Sequence, residues 1–278
     1  MSPSFSSGLR VVLCPDKAIL LGLGKGLRRK VTHQAVLPCV PMPGGPAWRP
    51  ALAALEQWLN ANEIGRANVT VILSNHFVRY ALMPFSGEVA SPAEERALAQ
   101  ILLEDTYGDP AKQWRLTISG GGYGEPRLVA AVDAELPEAI AAAFVSGPLR
   151  LNAIRPYLMT AFNSFRKQLR GADGLFAVAE PGQVVMMSFR NGQWSGVRRM
   201  PLNGEPDKQL PDLLQREALI GGLDVGTVPV YLHIAGRPDF KLPPDCGMTI
   251  HSLHPLGKNG KPFIEDARYD MAVIGEHA

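Results

Sequence analysis

Apolar residues along the chain gather in short runs broken by Pro/Gly turns, with stretches of helical periodicity between them. Leu9–Cys14 and Ala18–Leu23 flank a Pro15-Asp16-Lys17 turn and predict two strands. Gly22, Gly24 and Gly26 precede a third strand, roughly Val31 to Val40, and a Pro/Gly loop follows from Pro41 to Pro46. Trp48, Leu52, Leu55 and Leu59 then recur at helical spacing. Val69–Leu73 is a β-branched run of the kind buried on both faces of a parallel sheet. The opening therefore predicts three strands, a helix and a strand.

The next segment has a different character. Phe77 to Leu82 predicts a strand, and Ser91-Pro92-Ala93-Glu94 predicts a helix start: Ser as cap, Pro in the first turn, Glu reaching back. Trp114–Ile118 and Arg127–Val132 predict two more strands joined by Ser119-Gly120-Gly121-Gly122-Tyr123-Gly124. Asp133 can cap a helix carrying Leu136, Ile140 and Phe144. Together these form a small α+β unit set into the opening pattern.

Leu149 to Leu202 is the central stretch. Leu149, Leu151 and Ala153 form an extended run, and a helix is predicted from Arg155 or Pro156, with Leu158, Ala161, Phe162, Phe165 and Leu169 on one face and a stop at Gly171. Leu175–Ala179, Val184–Phe189 and Trp194–Met200 predict a meander turned at Glu180-Pro181-Gly182 and at Asn191-Gly192, the strongest hairpin signal in the chain. Asp207 can cap a helix with Leu210, Leu213, Leu214 and Ala218, ended by Gly221-Gly222. Val228–Ala235 and Met248–Leu253 predict strands, and a short helix is predicted over Asp266–Gly275. Three strands, a helix and a strand thus occur twice.

Composition narrows the class. The 278 residues are 46% hydrophobic and 19% charged, as in a globular chain with a sizeable core. A net charge of +2 gives no footprint for nucleic acid, and the Lys25–Lys30 cluster suits a solvated hairpin end. Three scattered cysteines (Cys14, Cys39, Cys246) fit a reducing compartment. No signal peptide is expected, and no stretch reaches the ~20 apolar residues of a membrane span.

Four stretches carry a resemblance. VILSNHFVRYALMP, LRLNAIRPYLMTAF, LFAVAEPGQVVMMSFRNGQW and ARYDMAVIGEHA resemble, respectively, the strand entering the insertion, the linking strand and helix, the second-half hairpin and the closing helix of PilM and of the GspL cytoplasmic domain. These are assembly proteins of type IV pili and type II secretion within the actin-like ATPase superfamily. The resemblance implies an actin-like, ribonuclease H-like α/β fold of duplicated βββαβ halves. The first half would be residues 1–148, with the small α+β subdomain inserted at about 75–148. The second, 149–278, would begin with the linking strand and helix.

The departures from that family are informative. Active members hold nucleotide phosphates with an Asp-x-Gly turn in each half, glycine letting backbone amides approach and the carboxylate positioning magnesium. Here the first turn is Cys14-Pro15-Asp16-Lys17, without glycine and with a proline that lacks a donor; the second is Glu180-Pro181-Gly182; the later Gly-Gly is reduced to Ala235-Gly236-Arg237. Asp16, Lys17, Glu180, Gly182 and Gly236 are thus degenerate phosphate-loop positions. No catalytic residue, cofactor or metal is expected, and the chain is expected to be a pseudo-ATPase scaffold in the cytoplasm, held to the bacterial inner membrane through a partner.

In PilM-like proteins the tail of a PilN-like inner-membrane protein lies between the first subdomain and the insertion. Carried over, that points to Asn75–Pro84, with Asn75, Phe77, Arg79 and Tyr80 as partner-binding residues; the same four also suit ordinary packing. The GspL resemblance implies a second contact with the assembly ATPase, and a homodimer is left open. Two alternatives stand beside this. One is an active ATPase or sugar-kinase relative, binding ATP and Mg with Asp16 and Glu180 positioning the metal and Lys17 meeting phosphate. The other is a cell-division protein of the FtsA type, for which Asp266–Ala278 is a poor membrane helix.

Other motifs have plain readings. Gly22–Gly26 (GLGKG) is followed by no helix that could hold an anion, so it reads as a turn. Cys246, His251 and His254 lack the fourth ligand a structural zinc site needs. Glu94, Glu95, Glu104 and Asp105 read as the wet face of a helix, although an acidic patch there could serve a basic partner.

Overall fold

The computed structural model describes residues 7–24, 30–89, 91–169, 173–224, 226–243, 246–255 and 264–274. The chain divides into two compact units, one of Met1–Val78, Asp133–Ser164 and Pro255–Ala278, the other of Arg79–Val132 and Phe165–His254.

The first unit is built on a five-stranded sheet in the order β3-β2-β1-β4-β8. β1 (Gly8–Leu13), β2 (Lys17–Leu23) and β3 (Val31–Pro38) form an antiparallel meander, and β4 (Ala67–Leu73) joins β1 in parallel. Gly22 is required where β2 and β3 slip register: a Cβ there would lie 2.6 Å from Thr32 Oγ1. This gives GLGKG its role as far as Gly24, since residues 25–29 of that motif and of the basic cluster lie outside the described residues. α1 (Arg49–Ala61) buries Pro50, Ala51, Leu52 and Leu55 against the sheet.

The fifth strand differs from the sequence expectation. Leu149–Pro156, which the sequence pattern puts at the opening of the second half, is β8 and pairs in parallel with β4, so it completes the first sheet. The helix after it, α4 (Tyr157–Phe165), begins one residue past Pro156, because the proline is still paired to Leu73 in the ladder. Its stop, placed at Gly171, lies outside the described residues; the helix itself ends at Phe165. α3 (Glu135–Ala143) also belongs to this unit. Asp133 ends the strand Arg127–Asp133 and is not the cap of α3, whose N-cap is Ala134; its Oδ1 accepts Glu135 N–H at 3.0 Å while Oδ2 accepts Trp48 Nε1–H at 3.0 Å. The closing helix α6 (Asp270–Val273) packs on β1 and β2, where Arg10 Nη1 donates to Ile274 O at 2.6 Å and Ala272 O at 3.3 Å.

The second unit repeats the same order. β9 (Gly174–Glu180), β10 (Gly182–Arg190) and β11 (Gln193–Leu202) form the meander, and β12 (Pro229–Ile234) and β13 (Thr249–Ser252) add in parallel, giving β11-β10-β9-β12-β13. Asn191 (φ 52°) and Gly192 (φ 76°) are both left-handed, as the two-residue hairpin turn demands. α5 (Pro206–Ile220) packs Leu210, Leu214 and Ala218 on Leu175, Ala177, Val184 and Met186. Its N-cap is Glu205, not Asp207, because Pro206 already occupies the first turn. Its end is a glycine stop, with Leu223 N–H returning to Ala218 O at 2.8 Å.

The inserted α+β segment lies in this unit. β5 (Arg79–Met83), β6 (Trp114–Ile118) and β7 (Arg127–Asp133) form a sheet in the order β5-β7-β6, covered by α2 (Pro92–Tyr107) around Ala99, Leu103, Leu116 and Val129. Ser91 caps α2, its Oγ accepting Glu94 N–H at 3.3 Å. β5 runs beside β11. Among the described residues, no helix is long and apolar enough to cross a membrane.

Candidate functional site

The first turns of the two meanders, the phosphate-loop positions that the resemblance implies, are built differently. In the β1–β2 turn, Cys14 N–H donates to Lys17 O at 2.9 Å, and Pro15 has no N–H to offer. Asp16 O accepts Cys39 N–H at 2.8 Å, and the Cys39 thiol lies 3.7 Å from Pro15 O, so the chain beyond β3 straps this turn. Lys17 Nζ sits 3.4 Å from its neighbour's Asp16 Oδ2. Burial, and then the Asp16 carboxylate, push the Cys39 thiol above its ordinary pKa. A phosphate cradle needs several inward amides and room beside them. Of this turn's amides, Cys14 N–H is spent on Lys17 O and Pro15 has none.

In the β9–β10 turn, Gly182 is left-handed (φ 86°). Glu180 and Gln183 stand opposite each other in register and are each 4% exposed. Gln183 Nε2 is buried without a hydrogen-bond partner, a costly state for an amide. In the same unit Gly236 (φ 71°) turns the chain after β12; Ala235 N–H donates to Ala179 O at 3.0 Å, and Arg237 lies 4.9 Å over the Phe240 ring.

Asn75, Phe77, Arg79 and Tyr80 do not form one strand. Ser74 Oγ accepts His76 N–H at 3.2 Å and starts a 3-10 turn over Asn75–Phe77, so β5 begins only at Arg79. Asn75 is fully buried, and its Oδ1 accepts Leu158 N–H at 3.1 Å, capping α4 within the first unit. Phe77 and Tyr80 are buried; Tyr80 O accepts the Tyr107 hydroxyl at 2.8 Å. Arg79 is partly exposed, its guanidinium 5.9 Å from the Trp114 ring centre. Burial first, then Arg199, hold the Arg79 pKa below the usual arginine value.

Cys246, His251 and His254 go separate ways: Cys246 Sγ contacts Met248 O at 3.9 Å, and the His251 ring stacks on Tyr231 at 5.1 Å. Among the described residues, no group of three or more His, Cys, Asp or Glu is arranged to hold a metal ion. Sequence reasoning missed a cavity of about 260 Å³ at the β5–α2 end of the insertion, lined by Met83, Phe85, Pro92, Glu95, Glu125 and Arg127 among others. Its signal was available in Phe85 and Tyr123, two aromatic residues in polar loops.

Two sheets in the order 3-2-1-4-5, each a meander followed by parallel strands, with an α+β insertion in the first repeat, define an actin-like fold. No protein-family model matches the chain, and no curated protein matches it in sequence. Among solved structures, the chain is similar to that of the PilM-PilN type IV pilus biogenesis complex (TM-score 0.66, 17% identity, covering 98% of each chain). It is also similar to the cytoplasmic domain of EpsL, an inner-membrane component of the type II secretion system of Vibrio cholerae (TM-score 0.57, 13% identity, 89% of this chain and 90% of that one). A third is a Bacteroides thetaiotaomicron protein with the actin-like ATPase fold (TM-score 0.60, 9% identity, 97% and 95%). The resemblance to PilM and GspL-type domains read from the four sequence stretches is thus met by the fold.

Proposed function

We propose that this chain is a non-catalytic, actin-like component of a type IV pilus or type II secretion-like assembly platform. It acts at the cytoplasmic face of the inner membrane, where it binds the cytoplasmic tail of a PilN-like membrane protein and meets the assembly ATPase. The observation that carries the non-catalytic half is the closed β1–β2 turn, in which Cys14 N–H is spent on Lys17 O at 2.9 Å and Pro15 offers no donor. The platform half is supported by the fold shared with EpsL and with the PilM-PilN complex. Arg79 is the one member of the predicted partner cluster that is not buried, so the tail would reach this stretch through it.

A test follows from that position. A photo-cross-linker replacing Arg79 should trap the cytoplasmic tail of a single inner-membrane protein in membranes of the source organism. Cross-linking to soluble enzymes only, or to nothing, contradicts the platform reading.

A second reading, a nucleotide-binding actin-like ATPase or sugar-kinase relative, is favoured by Gln183. Its buried Nε2 lacks a partner one residue from the left-handed Gly182, where a ligand oxygen would satisfy it. That ligand would have to be held without the first-half turn.

A further inference from the structure

The cavity in the insertion has features that internal packing does not use. It opens between the end of β5, the start of α2 and the start of β7, at the end of β5 away from Arg79. Met83, Pro84, Val89, Pro92 and Leu98 give it apolar walls, and the Glu95–Arg127 ion pair lies along it. At its edge Phe85 stacks edge-on against Tyr123, ring centres 4.8 Å apart. Tyr123 is 91% exposed and Phe85 39% exposed. Two aromatic rings held together in water, beside an apolar hollow, are the residue type and setting in which binding energy concentrates.

Charge selects the occupant. Glu95 and Glu125 line the hollow against the single Arg127, and among exposed sequence neighbours of the lining residues Glu88 and Glu94 outnumber Arg96. Glu125 is fixed in place by Gly122, whose N–H donates to Oε2 at 2.7 Å. The start of α2, which would otherwise attract an anion, is already served by Ser91 Oγ and carries Glu94 and Glu95 in its first turn. Carboxylates in excess repel a phosphate, an acidic peptide and an anionic bilayer alike, and favour Lys or Arg placed beside apolar side chains.

We infer that this hollow docks a short partner segment that presents an aliphatic side chain to the Phe85–Tyr123 pair and flanking Lys or Arg to Glu94, Glu95 and Glu125. The inference deepens the platform reading and rests on it: segments next to the cytoplasmic face of a membrane span are rich in Lys and Arg. It assigns a surface separate from Arg79, at the opposite end of β5.

The test uses the full chain and a short fluorescent peptide of alternating Lys and Leu, with a Glu-Leu peptide and phosphatidylglycerol vesicles as controls. The Lys-Leu peptide should bind, and Tyr123→Ser should weaken it by about tenfold or more without changing the melting temperature. Glu94→Gln/Glu125→Gln should weaken it and flatten its salt dependence, and the Glu-Leu peptide should not bind. Equal affinity for wild type and Tyr123→Ser, equal binding of both peptides, or binding to the vesicles alone overturns the inference. If Tyr123→Ser leaves the peptide bound while the Arg79 cross-link persists, the docking assignment falls and the platform reading stands. If Tyr123→Ser releases the peptide but Arg79 cross-links nothing, the reverse holds.

Discussion

Asn75 Oδ1 accepts the backbone N–H of Leu158 at 3.1 Å, tying the turn after β4 to the first turn of α4 across 83 residues of sequence. A residue that could have met a partner is spent on ordering the first unit. Replacing a capping Asn by Ala costs roughly 0.5–2 kcal/mol, more where a buried amide is left unsatisfied. Asn75→Ala should therefore lower the melting temperature by several degrees, at about 2–4 °C per kcal/mol. Thermal unfolding by circular dichroism checks this; an unchanged melting temperature would contradict the capping role.

His233 makes stability depend on pH. It is fully buried beside Phe165, its Nδ1 lies 2.9 Å from Leu253 O, and burial lowers its pKa to about 4. Above the unfolded value near 6.5 both states are neutral and the contribution is complete. Between 6.5 and about 4 only the unfolded chain takes the proton, so stability falls with pH by about 1.4 kcal/mol per unit, about 3 kcal/mol in all. Glu217, 2% exposed with Arg198 Nε at 2.8 Å, has its carboxyl raised by burial and acts in the opposite sense. Urea titrations in the Glu217→Gln background should isolate the histidine slope, and His233→Gln should flatten it.

Arg10 fastens the closing helix. Its guanidinium bridges Ala272 O and Ile274 O, and just past the end of β1 Cys14 Sγ lies 3.8 Å from Met271 Sδ. Hydrogen bonds from a charged donor contribute roughly 1.5–3 kcal/mol each. Arg10→Ala should release α6 first, seen as faster amide exchange over residues 267–274, before any loss of the sheet.

Most of the fold was legible in the sequence because it is written in short-range chemistry. Ser91 and Pro92 start α2, Asn191-Gly192 sets the β10–β11 register, and the β-branched run at Val69–Leu73 becomes the central β4. What failed depended on distant partners. Leu149–Pro156 has no local mark saying which sheet it joins; its pairing with β4 decides that. Alternation predicts strand at Phe77, but Ser74 accepts His76 N–H and holds Asn75–Phe77 in a 3-10 turn. The role of Asn75 needed Leu158, and the hollow near Phe85 needed three segments brought together. The prolines in the two meander turns were visible at once, since a missing N–H is a property of one residue.

The central claim, an actin-like fold working without nucleotide, is tested most directly by thermal unfolding with and without millimolar Mg-ATP. A bound ligand at ~100 times its dissociation constant adds roughly 2.7 kcal/mol to the folded state, several degrees for a chain of this size. The account predicts no shift. A shift of several degrees that disappears in Asp16→Ala or Glu180→Ala would contradict it and make the chain a nucleotide-switched assembly factor.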